Sequence, residues 1–357
     1  LKISFILPEN DDKPIGGFKI VYQYANEMTK RGHEVYISFL NTLYPEKKSR
    51  VRQWLGLKKR SLKYRLQQKE DPSSKITWFD IDERIKIKFH VIDGRQLPNA
   101  DVIIATAAQT SFFVDKLSSR KGRKFYFIQN YETWAYSEDI LQKSFKLPLR
   151  KIVIAKWLLK KIEKVTSDTI QIVPNFIDGI YMKETDNNRK NVISILNHDL
   201  PEKNTLFGIE VIKKVKERVP DLTVKMFGVA KRPPEGIPDY IEYYSRPSKQ
   251  DLFKEIYAKS KVYILPSLLE GWGLTGTEAM ASGAALVASD IPGVKEYAVN
   301  NRNSLLAKPN DLSEFTEKVL DLMLNESKRK AIVEIAKSDV KKYSLTESTT
   351  LFLSYLE

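Results

Sequence analysis

A chain of 357 residues is longer than one ordinary hydrophobic core supports, so two domains are the default. Hydrophobic residues at 42% and charged residues at 29% describe a globular protein, and the lack of any cysteine excludes disulfide scaffolds, thiolate metal sites and thiol nucleophiles. The formal net charge is +14, and only three histidines (His33, His90, His198) are present, which argues against a histidine-rich metal site.

The first apolar run, KISFIL (2–7), reads as a strand ended by Pro8. A loop holding Gly16 and Gly17 is expected next, then a helix over about 18–31 closed by Gly32. HEVYISFL (33–40) is a second strand, which makes a βαβ opening and predicts a parallel sheet covered by helices. A basic segment, 46–75, interrupts the alternation. Strands are predicted at 85–92, 100–106, 124–129, 151–155 and 169–175, with helices at about 109–119 and 156–165. After a linker near 176–190 the alternation restarts. Strands are expected at 191–196, 222–228, 261–267, 284–289 and 303–309. Helices are expected at about 204–218, 248–259, 275–283 and 311–339, followed by a last helix at the C-terminus. The fold class is therefore α/β, with two doubly wound units: 1–178 and 179–341, the end of the chain (about 342–357) packing back on the first. In such sheets a ligand sits at the carboxyl ends of the strands, here expected in a cleft between the units.

Charge is divided unequally. Residues 1–180 hold 33 Lys and Arg against 20 Asp and Glu, whereas 181–357 hold 26 against 25. Residues 47–69, KKSRVRQWLGLKKRSLKYRLQQK, carry ten basic residues and no acidic one, interleaved with Trp54, Leu55, Leu57, Leu62, Tyr64 and Leu66. An anionic membrane surface attracts such a segment. Nucleic acid would be attracted by the same charge, and a solvated helix with no partner is the plain alternative. No run of apolar residues is long enough to span a bilayer. The N-terminus lacks the features of a secretory signal, so a cytoplasmic location is the expectation.

The stretch LPSLLEGWGLTGTEAMASGAALVASDIPGVKEYA (265–298) carries the chemistry. It reads strand, loop, helix, glycine, strand, loop. Glu270 precedes Gly271, Trp272 and Gly273, and the glycines let backbone N–H groups approach a ligand closely. A helix beginning near Leu274 and Thr275 points its positive end into the same loop, a setting for a diphosphate. Glu278, one turn into the helix, can accept hydrogen bonds from the vicinal hydroxyls of a ribose, and Glu270 can do the same for a sugar.

Glu270 and Glu278 at that spacing, with Ala279-Met280-Ala281-Ser282-Gly283 and Pro292-Gly293 followed by Glu296, resemble the donor site of the family-4 glycosyltransferases, enzymes of the GT-B fold. The resemblance covers the second half of the chain and, more weakly, the first. It implies two Rossmann-like domains facing across a cleft and transfer from a UDP- or dTDP-linked sugar with retention of anomeric configuration. It also implies no cofactor and no metal, since fixed cations and a helix end meet the diphosphate charge. Other positions follow from the same resemblance. Gly16 and Gly17 match a Gly-Gly loop near the donor phosphates, a tight turn being the alternative. Lys203 holds the place of a diphosphate-binding lysine and, with Glu270, is expected to act in catalysis. His198, after Asn197, stands where the family has arginine; a neutral imidazole can still donate a hydrogen bond to phosphate, and Arg246 or Lys231 could supply the charge. Where family members often have a histidine after the strand DVIIAT, this chain has Thr106-Ala107-Ala108. The patch Gln129-Asn130-Tyr131-Glu132-Thr133-Trp134 resembles that of rhamnan-forming members, so Asn130, Tyr131 and Glu132 are assigned to the acceptor or the sugar, with a packed loop as the alternative. Pro174-Asn175 with Asp178 resembles the interdomain turn. The triplet Asp80-Ile81-Asp82 reads as surface charge.

The expected reaction is hexose transfer to a glycan or lipid-linked acceptor in cell-surface polysaccharide synthesis, with residues 47–69 and parts of 143–164 docking the chain on the inner face of a membrane. A nucleotide-sugar epimerase on the same fold and a nucleic-acid-binding protein are the rival readings. The histidine shortage argues against the first. The near-neutral second half argues against the second.

Overall fold

The predicted alternation of strands and helices is present throughout the residues described by the computed structural model, 1–41, 49–67, 69–186 and 188–357. In chain order the first half contains β1 (Lys2–Leu7), α1 (Gly16–Lys30), β2 (Glu34–Leu40), α2 (Arg50–Leu66), β3 (Lys86–Val91), β4 (Val102–Ala105), α3 (Ala108–Asp115), β5 (Arg123–Ile128), α4 (Glu138–Phe145), β6 (Arg150–Val153), α5 (Lys156–Ile162) and β7 (Ile170–Ile172). All pairings are parallel, in the order β3-β2-β1-β4-β5-β6-β7. The second half contains β8 (Val192–Asn197), α6 (Thr205–Arg218), β9 (Thr223–Gly228), β10 (Ile241–Ser245), α7 (Lys249–Asp251), β11 (Val262–Leu265), α8 (Leu274–Ala281), β12 (Ala285–Ser289), β13 (Leu305–Ala307), α9 (Leu312–Leu324), α10 (Glu326–Val340) and α11 (Leu345–Leu356). Its sheet is also parallel, in the order β10-β9-β8-β11-β12-β13. Strands β4, β11 and β12 are buried at every residue, as expected of parallel strands covered on both faces.

The chain divides into two compact units: Leu1–Pro174 with Leu345–Glu357, and Asn175–Ser344. The division falls after Pro174 rather than after Asp178, and again at Ser344. In the first unit, α11 is anchored by Phe352, which is fully buried and packs against Phe5, Tyr24 and Phe127 at ring separations of 6.4, 4.8 and 5.0 Å. Arg31, just past the end of α1, donates to the Thr346 carbonyl and the Thr350 hydroxyl of the same helix, each at 2.8 Å. In the second unit, Arg189 is buried and donates to the carbonyls of Tyr257, Ser260 and Ser282 at 2.9, 2.6 and 2.6 Å, fastening the segment that enters β8 to the chain leading into β11 and β12. Burial pushes the Arg189 guanidinium down to about 10, so it remains charged at neutral pH.

Several boundaries differ from expectation, each for a local reason. Gly16 and Gly17 are not loop residues but the first turn of α1, entered from extended Ile15. α4 was missed although Ser137 precedes two acidic residues, Glu138 and Asp139, and Leu141 and Phe145 share its buried face. β10 was missed because it is a short edge strand after a loop rich in proline. The stretch 248–259 is broken after α7 into a π-turn (Leu252–Ile256) and a 3-10 turn (Tyr257–Lys259). The long C-terminal helix is divided at Asn325, whose side chain accepts from the Lys328 N–H at 3.0 Å and so caps α10. Of the basic run, Lys47, Lys48 and Gln68 lie outside the described residues; Arg50–Leu66 is helical. Asp80 and Asp82 pin a loop: Asn26 donates to the Asp80 carbonyl and accepts from the Asp82 N–H, both at 2.9 Å, and Asp82 pairs with Arg84 at 2.6 Å.

Truncating Phe352 to alanine leaves a cavity lined by three aromatic rings. Phe352→Ala is expected to cost about 3–5 kcal/mol of stability, read from urea unfolding of the purified chain.

Candidate active site

β8 and β11 are neighbours in the second sheet, but the chain leaves β8 for β9 on one side and returns to β11 on the other. The loops at their carboxyl ends therefore run in opposite directions and open a crevice at that point. Lys203 comes from the loop after β8 and Glu270 from the loop after β11. The Lys203 ammonium donates to both oxygens of Glu270, at 2.7 and 2.8 Å. Ser267 adds a hydrogen bond to Glu270 Oε1 at 2.8 Å. Backbone bonds hold the two loops together: the Leu268 N–H donates to the Glu202 carbonyl at 2.7 Å, and Asn204, in the left-handed region at φ 55°, donates to the Pro266 carbonyl at 3.2 Å. Glu270 is 7% exposed. A carboxylate this enclosed needs a cation and hydrogen-bond donors, and Lys203 with Ser267 supplies them.

The glycine loop is shaped by close contacts. Gly273 has φ 91°, which L side chains rarely adopt, and its carbonyl accepts from the Tyr297 hydroxyl at 3.0 Å. At Gly293 a Cβ atom would lie 2.1 Å from the Glu270 carbonyl oxygen, so the Pro292-Gly293 turn is pressed against the backbone that carries Glu270. No side-chain hydrogen bond caps the start of α8, whose first N–H groups follow Gly273 directly. An uncapped helix start beside an ammonium group favours an anion. Glu278 is buried on α8, 6% exposed, and its Oε2 accepts from the Tyr257 hydroxyl at 3.3 Å. Burial and the nearby Glu278 carboxylate push the Tyr257 hydroxyl well up, so it remains a proton donor.

His198 follows β8. Its Nδ1 accepts from the Leu200 N–H at 3.0 Å, which places the ring proton of the neutral form on Nε2. Burial, and then the neighbouring Lys203 charge, hold its pKa below the usual imidazole value. The residue is therefore a neutral donor at the position where the resemblance expects an arginine. Arg246 is also in the left-handed region, at φ 49°, and its Nε donates to the Val229 carbonyl at 3.1 Å. The Trp272 side chain is enclosed. Its indole is 4% exposed and packs against Tyr297 and Tyr343, at 5.7 and 5.0 Å between rings, so it holds the loop from within. Ser267, Asn204 and Tyr297 were not singled out from the sequence. Ser267 follows a strand-ending proline, the only local signal among them.

The first unit has an equivalent reversal between β1 and β4. α1 begins after β1, and Gln129, just past β5, donates from Nε2 to the Gly17 carbonyl at 3.2 Å. The glycine pair and the Gln129–Trp134 patch, assigned separately from sequence, thus meet. Glu132 Oε2 accepts from the Ala108 N–H at 2.9 Å and covers the start of α3, next to Thr106 and Ala107, where the resemblance expects a histidine. Burial pushes the Glu132 carboxyl up to about 7, against the lowering effect of the Ala108 N–H. Tyr131 is otherwise engaged. It is buried, its ring lies 5.6 Å from Phe145, its hydroxyl donates to Glu138, and Lys161 sits over its face at 4.8 Å. Asn130 accepts from the Tyr131 N–H at 2.8 Å. Tyr131 is therefore taken up by the packing of the loop, and Glu132 is the loop's carboxyl with a raised pKa. Among the described residues no three His, Asp or Glu side chains converge as a metal site.

Residues 180–339, a stretch within the second unit, match the family described as glycosyl transferases group 1. An uncharacterized glycosyltransferase of Methanocaldococcus jannaschii is 32% identical over 105 residues, 29% of this chain and 30% of the relative. A trehalose synthase of Thermococcus litoralis is 26% identical over 253 residues, 64% of this chain and 58% of the relative. The chain thus spans less than two thirds of the length of these curated relatives. Among solved structures, a TarM variant of S. aureus, in complex with UDP and α-GlcNAc-glycerol, superposes with a TM-score of 0.72 at 12% identity, covering 100% of this chain and 99% of that one. The fold is GT-B.

Glu132 gives a pH signature. Its folded pKa, about 7, lies above the ordinary carboxyl value of 4.5, so the folded state holds the proton more tightly. The stabilisation is complete below about pH 4.5 and is lost as pH rises through about 7. Glu132→Gln cannot ionise. Its melting temperature is expected to match that of the unsubstituted protein near pH 4.5 and to exceed it by roughly 5 °C at pH 8, measured by thermal melts across that range.

Proposed function

We propose that the chain is a retaining, metal-independent glycosyltransferase that moves a hexose from a UDP- or dTDP-linked donor to a hydroxyl of a glycan or lipid-linked acceptor in polysaccharide synthesis. The observation that carries the reading is the Lys203–Glu270 pair set beside the uncapped start of α8, at the strand reversal of a glycosyl transferases group 1 domain. TarM, similar in fold, has been crystallised with UDP, which agrees with a nucleoside diphosphate at such a place. The Gln129–Trp134 patch favours dTDP-rhamnose among the donors.

The chemistry follows from charge. Cleaving the anomeric carbon–phosphate oxygen bond leaves the electron pair on the diphosphate, so the site must stabilise negative charge that grows in the transition state. Lys203, the N–H groups at 274 and 275, and the His198 Nε2–H supply fixed donors. Glu270 holds Lys203 in place before the donor arrives and is sited to accept from sugar hydroxyls; Glu278 does the same for the ribose. The acceptor oxygen attacks the face the diphosphate leaves, and its proton passes to the departing phosphate oxygen. No carboxylate nucleophile is required.

Lys203→Ala and Glu270→Gln are each expected to lower kcat/KM by about a hundredfold, measured as nucleoside diphosphate released from a panel of UDP- and dTDP-sugars with acceptor present. Thermal shift with UDP and dTDP identifies the base, and Lys203→Ala is expected to abolish the shift. Formation of an epimer in place of released diphosphate, or full turnover in both variants, would sink the proposal.

A further inference from the structure

α2 has two unlike faces. Gln53, Leu57, Arg60 and Tyr64 recur at i, i+4, i+7 and i+11 and form its packed side. Arg60 ties that side down: its guanidinium pairs with Glu9 at 2.6 Å and with Asp71 at 3.4 Å. The opposite side is apolar and open. Val51, Leu55, Leu62 and Leu66, at i, i+4, i+11 and i+15, share one stripe, with Trp54 at its edge. Their exposures are 67, 47, 56 and 75%, and that of Trp54 is 49%. Five of the fifteen large apolar side chains exposed among the described residues lie on this one helix. Exposed cations border the stripe: Arg52, Lys59 and Lys63 along one flank, Lys58 and Arg65 along the other. The Lys58 ammonium lies 4.6 Å from the centre of the Trp54 ring. No acidic residue occurs from Ser49 to Gln67.

We infer that α2 lies in the plane of an anionic membrane surface, with Val51, Trp54, Leu55, Leu62 and Leu66 entering the headgroup region and the flanking cations meeting lipid phosphates. An exposed aliphatic stripe is costly in water and is covered by acyl chains at an interface. Lysine and arginine bordering the stripe can extend to the phosphates while their stems remain apolar. A tryptophan at the edge suits the boundary, since its ring is apolar and its N–H is polar. Nucleic acid would use the cations but has no counterpart for four aliphatic side chains in a row. The packed side explains why the helix presents this face: Arg60 is held at both ends of its guanidinium, which fixes the rotation of α2 about its own axis. The inference is independent of the proposed reaction, because it uses none of the residues assigned to that reaction, and Lys203, Glu270 and Glu278 lie in the other unit.

The test is sedimentation of the full chain with phosphatidylcholine vesicles, with and without phosphatidylglycerol. Two variants separate the two halves of the claim, Val51→Ser/Leu62→Ser/Leu66→Ser and Lys58→Gln/Lys59→Gln/Lys63→Gln. All six positions are exposed, so circular dichroism melts should remain unchanged. Partition is expected to favour phosphatidylglycerol vesicles, to weaken with salt and to fall about a hundredfold in the charge variant, since each of the three lost cations near an anionic surface counts for about a factor of five. A similar fall is expected in the apolar variant. Equal binding to both vesicle types, or undiminished binding of the apolar variant, overturns the inference. So does retention of a duplex oligonucleotide by the apolar variant together with no vesicle binding by the unsubstituted chain, an outcome that assigns the helix to nucleic acid.

Discussion

Parallel pairing of β8 with β11, strands far apart in the chain, sets the position of everything the candidate site of the second unit contains. Once both are in the middle of the sheet, their following loops must diverge, and the residues that begin those loops are brought together. Lys203 and Glu270 are separated by α6, β9, a proline-rich loop, β10, α7 and β11, yet they are joined by two charge-assisted hydrogen bonds. The same reversal between β1 and β4 gathers Gly17, Gln129 and Glu132 in the first unit. Each sheet thus makes one place where backbone polar groups and charged side chains can converge without interrupting a strand.

Enclosed charges in this protein divide into two kinds. Arg189 is held by backbone carbonyls, and Lys151 by the carbonyls of Leu147 and Leu149, at 2.9 and 3.0 Å, with Asp168 beside it. These cations are fully engaged by the fold and join segments that would otherwise end in unpaired carbonyls. The Lys203–Glu270 pair is different because the lysine retains partial exposure, with its side chain at 20% against 9% for the glutamate. Held by the carboxylate, the ammonium has a fixed position with part of its surface open. Glu132 is the converse. It is an acid that accepts from the Ala108 N–H, and burial raises its pKa toward neutrality.

Much of the architecture was legible because the signals are local. Apolar runs of four to six residues bounded by glycine or proline marked the strands, and the Glu270–Glu296 stretch announced itself through glycines, two glutamates and a Pro-Gly turn at short range. The structure supplies reasons for that pattern: Gly293 leaves room for the Glu270 carbonyl, and Gly273 turns into α8 through a left-handed step. Where reading went astray, the cause was a neighbour distant in sequence. Nothing near Trp272 in the chain shows that its side chain is enclosed by Tyr297 and Tyr343. Tyr131 looked like a recognition residue, but Glu138 and Lys161 engage it from later elements.

The order of residues along the chain alone determined the α/β class, the two-unit organisation, the excess positive charge on the first half and the glycine-rich loop that leads into α8. Those properties depend on periodicity, composition and spacing, which act over a few residues. The chain order could not say which face of α2 is covered, since Leu57 and Leu55 are chemically alike, or that Ser267 and Lys203 would share one carboxylate. Those outcomes were decided by which strands became neighbours and by where Glu9 and Asp71 came to lie around Arg60. Tertiary packing selects among chemically equivalent side chains because only some of them are brought within contact distance.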